Sequence, residues 1–347
     1  MQALNKCIAR KYMKWTLCLY IFIIWILILK RILINIDQNL IEKYELDLID
    51  HLYGDKVESL WISVTTAIHP EQDIHILQTK DFNENKPDIV LIHGYGATSA
   101  LAWRNTIEGL SEKYDVLAID LPGFGRSPGS DLLLSSTTDE AFEHYCQFFE
   151  EIFIHRGVDN PYVVAHSIGA FIFVRCASRN PNLVSRLLLA NVPGLFSSNG
   201  EYDYIWATFF TLGLPHNALR ICGPLEFSRV LMDTALSILN IDIHNVVLQY
   251  WHLVQLNIHM QSDTIVRKFI RHRGVYALGV GVGLPLLLNL TQPVALVYGE
   301  LDPIAPPHQG EYIQSISGIK VYIIEDVSHV PYASNNGTDF LQVNTIS

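Results

Sequence analysis

Along this chain the apolar positions fall into short runs separated by polar, glycine- and proline-bearing turns. Two opening runs, "VESLWISVTT" and "DIHILQT", precede "DIVLIHG", "YDVLAIDLPG", "PYVVAHS", "RLLLANVPG", "PVALVYGELD" and "KVYIIEDVSH". Several are rich in β-branched residues and apolar without interruption, as strands buried on both faces of a sheet should be. Helical stretches intervene, around Asp139–Arg156 and Ala170–Arg179. Strand and helix in alternation predict an α/β domain with a mostly parallel central sheet flanked by helices. Over approximately residues 195–290 the alternation gives way to "YIWATFFTLG", "VVLQYWHLVQL" and "GVGVGLPLLLNL", aromatic and apolar at helical spacing. This stretch reads as an inserted helical cap over the carboxyl edge of the sheet. No internal repeat is visible.

The amino terminus follows a different pattern. In "KWTLCLYIFIIWILILKR" the apolar run from Trp15 to Leu29 is flanked by basic residues. Fifteen residues rise ~22 Å as a helix, short of the ~30 Å hydrocarbon layer. Snorkelling of Lys14 and Lys30, or extension through Ile32–Ile34, makes up the difference. Residues 1–36 therefore read as a membrane anchor with a basic flank, 37–56 as a polar tether or stalk helix, and 57–347 as the main domain. A cleavable signal peptide competes with this reading, but no small-x-small site follows the bulky run. A helix lying in the membrane surface is a further alternative. The greater positive charge before the segment favours a cytoplasmic amino terminus, a bias that Lys30-Arg31 weakens. Two sequons, Asn289-Leu290-Thr291 and Asn336-Gly337-Thr338, would permit glycosylation of a domain on the far side.

The 347 residues, 49% hydrophobic and 17% charged, suffice for one large core with a smaller appended layer. Residues 1–36 carry six basic and no acidic residues, which leaves the rest of a chain of net charge −11 at −17. So acidic a body repels phosphate backbones, and no basic stripe or nucleic-acid motif is present, which excludes nucleic acid as an expected partner. The five cysteines (Cys7, Cys18, Cys146, Cys176, Cys222) form no C-x-x-C pair and no even-numbered framework, so neither zinc nor a disulfide scaffold is indicated.

"VVAHSIGA", residues 163–170, sets Ser167 between a strand ending at His166 and a helix beginning at Gly169 or Ala170. Ser167 is either a nucleophile raised on a tight strand-to-helix turn or an ordinary serine between two elements. Such a turn needs small neighbours; here the pattern is A-x-S-x-G, with Ala165 where a glycine commonly stands. The remaining constellation favours the nucleophile. Asp302 follows one strand in "VYGELDPI", and His329 follows the next in "IIEDVSHVPY". His329 would take the Ser167 proton, while Asp302 would hold the imidazole tautomer and stabilise the imidazolium. Glu300 and Asp326 are competing acids; the G-x-x-D spacing from Gly299 favours Asp302. The backbone N–H groups of Tyr95 and Ile168 would converge on the developing oxyanion. Gly94-x-Gly96 could be taken for a dinucleotide loop, but Ser99 stands where the third glycine belongs, so no cofactor is expected, and no metal. "DLPGFGRS", residues 120–127, reads as a structural loop shaping the rim.

Together "HGYGATSALAW", "DLPGFGRS", "AHSIGA", "YGELDP" and "SHVPYA" resemble the α/β-hydrolase superfamily over about residues 57–340. Within it, "ALRICGP" and "SHVPYAS" are similar to the lysophospholipase and lipase co-activator branch of the α/β-hydrolase domain-containing proteins. The resemblance implies the α/β-hydrolase fold and a membrane-anchored serine hydrolase of lipid carboxylic esters: lysophospholipid, N-acyl-phospholipid or acylglycerol. The co-activator of that branch lacks a serine nucleophile, whereas Ser167 is present here. An H-x4-D acyltransferase motif associated with the branch is not matched, since after His329 and a four-residue spacer Ser334 stands where the aspartate belongs. A serine aminopeptidase of the proline iminopeptidase type and a non-catalytic lipid-associated co-activator are the alternatives. The expected location is a membrane of the endoplasmic reticulum or secretory pathway.

Overall fold

The computed structural model describes residues 38–67, 69–80, 86–94, 97–128, 138–192, 283–302, 305–332 and 340. The expected membrane segment, and the expected cap apart from residues 283–290, lie outside the described residues. Among the latter no helix is long and apolar enough to cross a membrane.

Eight strands form one sheet: β1 (Val57–Val64), β2 (Gln72–Thr79), β3 (Asp88–Ile92), β4 (Asp115–Ile119), β5 (Tyr162–His166), β6 (Arg186–Ala190), β7 (Val294–Gly299) and β8 (Lys320–Ile324). Their order is β1-β2-β4-β3-β5-β6-β7-β8. β1 and β2 pair antiparallel, as do β2 and β4, and every later pairing is parallel. The eight expected strands are thus the eight observed, and the sheet is mostly parallel.

The uninterrupted apolar runs have a simple cause: each strand feeds two cores. Val90, Ile92, Val163, Ala165 and Leu189 point to one face. Ile89, Leu91, Tyr162, Val164 and Leu188 point to the other. Because successive side chains alternate across a strand, a strand covered on both sides has no position left for a polar residue. The two edge strands depart from this: Trp61 and Ser63 are exposed in β1, and only Ile324 is buried in β8.

On the first face pack α4 (Thr138–Arg156), α5 (Ser167–Arg179) and the short α6 (Gly283–Leu288). The aromatic stripe Phe142, Tyr145, Phe148, Phe149 and Phe153 of α4 fills that layer. Cys146 of α4 and Cys176 of α5 are joined by a disulfide, contrary to the expectation from cysteine spacing. Nothing in a spacing of 30 residues announces the bond; it arises because two helices from separate crossovers lie side by side on one sheet face.

The second face carries α1 (Gln38–Tyr53), α2 (Ser99–Ala102) and α3 (Ile107–Ser111). The segment read as a tether is helical and lies on the body. Leu48, Ile49 and Tyr53 are buried, and the Tyr53 hydroxyl donates to the Ala100 carbonyl at 3.1 Å. Glu45, Leu48, Ile49, Leu52 and Tyr53 form one stripe at helical spacing, which turns inward as a unit.

Candidate active site

The chain reverses its direction of travel across the sheet between β3 and β5, with β4 on one side and β6 on the other. In open α/β sheets the crevice at such a switch point, beyond the carboxyl ends of the strands, is where ligands bind. Ser167 stands there as the first residue of α5, with φ of 51°. A non-glycine residue in the left-handed region costs ~1–3 kcal/mol and persists only where its surroundings impose it. Two glycines show how tight those surroundings are. A Cβ on Gly169 would lie 2.2 Å from the His93 carbonyl oxygen at the end of β3, and one on Gly94 would lie 2.5 Å from His166 Nδ1. The methyl of Ala165, fully buried inside β5, is accepted without difficulty.

His329 arrives from the loop after β8. Its Nε2 lies 3.0 Å from Ser167 Oγ, and its Nδ1 lies 2.8 Å from Asp302 Oδ2. The Asp302 side chain is fully buried, whereas that of His329 is 12% exposed toward the crevice. Asp302 Oδ1 also accepts the Ala305 N–H at 3.0 Å, and Oδ2 accepts from the amide of Asn191 just beyond β6. The carboxylate is therefore held from three directions. Of the competing acids, Glu300 accepts the Asp326 N–H at 3.0 Å at the surface, while Asp302 is the carboxylate on His329 Nδ1.

Ile168, second residue of the 13-residue α5, has its N–H in the first helical turn, where no intrahelical acceptor exists. An N–H so placed is a ready donor to an anion. Tyr95 lies outside the described residues, but its preceding residue is well anchored. His93 Nδ1–H donates to the Gly94 carbonyl at 2.7 Å, and His93 Nε2 accepts the Leu121 N–H at 3.1 Å. Burial holds the His93 ring below its ordinary pKa, against the pull of Asp120. A neutral ring with Nδ1 protonated thus fixes the direction of the Gly94 peptide.

Four residues that support this site carried no signal in the sequence reading: His93, His166, Asn191 and Tyr332. Each sits at or just beyond a strand or turn end, where a polar residue is unremarkable. His93, His166 and Asn191 share only a position at the carboxyl ends of β3, β5 and β6, and Tyr332 lies in the loop after β8.

The molecule contains a second relay of the same composition. Asp120 Oδ2 accepts from His75 Nδ1 at 2.7 Å, and Ser59 Oγ lies 2.8 Å from His75 Nε2. Here Arg126 donates to Ser59 Oγ at 2.8 Å. Asp120 additionally accepts the N–H groups of Ser99 and Arg126. Burial alone would raise the Asp120 pKa, but His75, His93 and the Ser99 N–H outweigh it and bring it to about 2. Glu45 reaches the same cluster from α1, its carboxyl pushed well up by burial and then by Asp120. Ligand atoms of Glu45, His75 and Asp120 lie within 4.8 Å of one another. The direct hydrogen bond between two of them, with the Arg126 guanidinium alongside, makes this a closed polar knot and a poor cation cradle. The "DLPGFGRS" loop is its centre.

Comparison with known proteins agrees with this architecture. The family described as alpha/beta hydrolase fold matches residues 87–212. A 1-acylglycerol-3-phosphate O-acyltransferase of Arabidopsis thaliana is 32% identical over 132 residues, 38% of this chain and 31% of that one. The human 1-acylglycerol-3-phosphate O-acyltransferase ABHD5 is 29% identical over 155 residues, 42% of this chain and 44% of that one. The matched part thus spans less than half the length of each of these relatives. Among solved structures, the naproxen esterase of Bacillus subtilis superposes with a TM-score of 0.63 at 18% identity, covering 89% of this chain and 98% of that one.

Proposed function

We propose that this chain, a member of the α/β-hydrolase superfamily, is a serine hydrolase that cleaves lipid carboxylic esters through Ser167, His329 and Asp302. One observation carries the reading: an unbroken relay from Ser167 Oγ through both His329 nitrogens to a fully buried carboxylate, with the serine at a φ of 51°. In this mechanism Ser167 Oγ attacks the ester carbonyl as its proton passes to His329 Nε2. Asp302 accepts from Nδ1–H throughout and stabilises the imidazolium. The oxyanion is received by the Ile168 N–H, with Tyr95 N–H as the second donor. His329 then protonates the departing alcohol, leaving an acyl-Ser167 ester. Water, deprotonated by the same histidine, releases the fatty acid.

The lipid part of the proposal is supported by the relatives, whose names refer to acyl chemistry on 1-acylglycerol-3-phosphate. Lysophospholipid, N-acyl-phospholipid and acylglycerol esters are the proposed substrates. The same names favour a second reading, in which a glycerolipid hydroxyl rather than water takes the acyl group from Ser167. Incubating the protein with acyl-labelled lysophospholipid, with and without unlabelled 1-acylglycerol-3-phosphate, tests both. Labelled free fatty acid is expected in each case; label appearing instead in the acceptor establishes transfer, and label in neither refutes the lipid-ester reading.

We also propose that residues 1–36 anchor the protein in a membrane of the secretory pathway, with the folded domain on the oxidising side. The Cys146–Cys176 disulfide supports this side, since such bonds persist outside the reducing cytosol. Asn289, which heads a sequon, is exposed and so accessible to glycosylation on that side. A glycosidase-sensitive mass shift is expected in eukaryotic cells, abolished by Asn289→Gln if that is the site used; an unshifted protein with both cysteines alkylatable would contradict the assignment.

A further inference from the structure

The serine-hydrolase reading leaves one buried titratable group at the site without a task. His166 is the last residue of β5, next to Ser167, with extended backbone (φ −119°, ψ 138°). Because side chains alternate along a strand, its ring follows Tyr162 and Val164 onto the second sheet face, beneath the His329 loop. There His166 Nε2 lies 2.8 Å from the main-chain carbonyl oxygen of His329, and His166 Nδ1 lies 3.0 Å from the Tyr332 hydroxyl. The carbonyl can only accept, so the hydrogen is on Nε2. Nδ1 then accepts, and the Tyr332 O–H donates. Both donors and both acceptors are satisfied in one arrangement.

Tyr332 is itself wedged in place. Its ring centroid is 4.4 Å from that of Trp103 and 5.8 Å from that of Phe340, and it meets the His166 ring edge-on at 4.9 Å. The strand carrying the nucleophile and the loop carrying the base are therefore tied together across 163 residues of sequence by one neutral imidazole. Burial, and then the proximity of His329, hold the His166 ring well below its ordinary pKa. This is the protonation state the arrangement needs while His329, 5.0 Å away between ring centroids, takes up a proton.

Resting on that reading, we infer that His166 is a positioning residue: it fixes the height of the His329 backbone over Ser167, with Tyr332 selecting its tautomer. A displacement of about 1 Å in such a relay costs ~10²-fold in rate. The effect belongs in kcat, because both side chains are buried beneath the His329 loop.

The experiment compares kcat, KM, the fluorophosphonate labelling rate and the thermal transition for wild type, His166→Phe, His166→Gln, Tyr332→Phe and Ser167→Ala. Phe keeps the ring volume and loses the donor; Gln keeps an N–H able to reach the His329 carbonyl. The expected order is His166→Phe down ~10²-fold in kcat, Tyr332→Phe down roughly 3–10-fold and His166→Gln within about 10-fold of wild type, all with KM within about twofold. If His166→Phe does not unfold cooperatively, Gln and Tyr332→Phe carry the test, since both retain the bulk of the packed side chain. A Tyr332→Phe variant at wild-type kcat together with a Gln variant at the level of Phe, or a folded Phe variant at wild-type kcat, would overturn the inference. Labelling and turnover that survive Ser167→Ala would instead remove the nucleophile assignment, whatever the His166 variants do.

Discussion

Among the described residues lie two Ser–His–Asp relays, with nearly the same distances and different surroundings. In Ser167–His329–Asp302 the carboxylate is buried, the imidazole is 12% exposed to the crevice, and the serine stands on a left-handed turn at the head of a helix. In Ser59–His75–Asp120 both the imidazole and the carboxylate are fully buried, and the serine lies inside antiparallel strand β1, opposite Leu77. Its oxygen is already engaged by Arg126. The difference shows that the hydrogen-bonded chain alone is not a catalytic signature. What separates the two is the serine end: a left-handed turn at the head of a helix, with a helical N–H beside it to receive an oxyanion, against an in-strand serine whose oxygen is engaged by a guanidinium. The second relay is a brace instead. Through Asp120 it holds Ser99 at the start of α2, Arg126 of the glycine-bearing loop, and, near Glu45, the helix that follows the amino-terminal segment.

The sharpest way to break this comparison is to exchange the two serines. Ser167→Ala is expected to lower kcat by at least ~10⁴-fold with an unchanged thermal transition, while Ser59→Ala leaves kcat within about twofold and shifts stability by about 1 kcal/mol. The two aspartates should separate in the same sense but along different axes. Asp302→Asn is expected to cost ~10³–10⁴-fold in kcat. Asp120→Asn is expected to cost about 3 kcal/mol or more in urea unfolding, because it leaves the buried partners of a closed network unpaired.

Acid provides a weaker, graded probe of the brace. Asp120 is held at about 2, so its contribution is complete above its ordinary 3.8 and is lost as the pH falls through that value toward 2. His144, which burial and then His69 bring down to about 4, acts over a higher window. The unfolded chain takes up a proton from pH 6.5 downward that the folded ring refuses, so stability should decline between 6.5 and 4. Urea midpoints measured at pH 7, 5 and 3 should show both phases, and His144→Phe should remove the first.

Much of this was legible in the residues. The eight strands announced themselves because burial on both faces demands uninterrupted apolar runs, and Ser167, Asp302 and His329 were locatable because each ends such a run. The supporting residues were not. Asn191, His93 and His166 look like ordinary strand-end polar residues until the sheet order brings β3, β5, β6 and β7 side by side. The second relay was equally hidden, since Ser59, His75 and Asp120 come from β1, β2 and the end of β4, with no motif linking them. Helix α1 was legible as a helix, but its packing on the body was not: its charged face dominates the composition, while the inward stripe at Glu45, Leu48, Ile49, Leu52 and Tyr53 contains an acid. The cysteine pair depends on helix packing that spacing does not encode.

We assign catalysis to Ser167–His329–Asp302 and not to Ser59–His75–Asp120, although the two relays share one composition. Mapping a fluorophosphonate adduct by peptide mass spectrometry on the folded wild-type protein tests this assignment most directly. A single adduct on the peptide containing Ser167, absent from Ser167→Ala and unaffected by Ser59→Ala, is the predicted result. An adduct on Ser59, or folded protein with no adduct at all, would contradict the account.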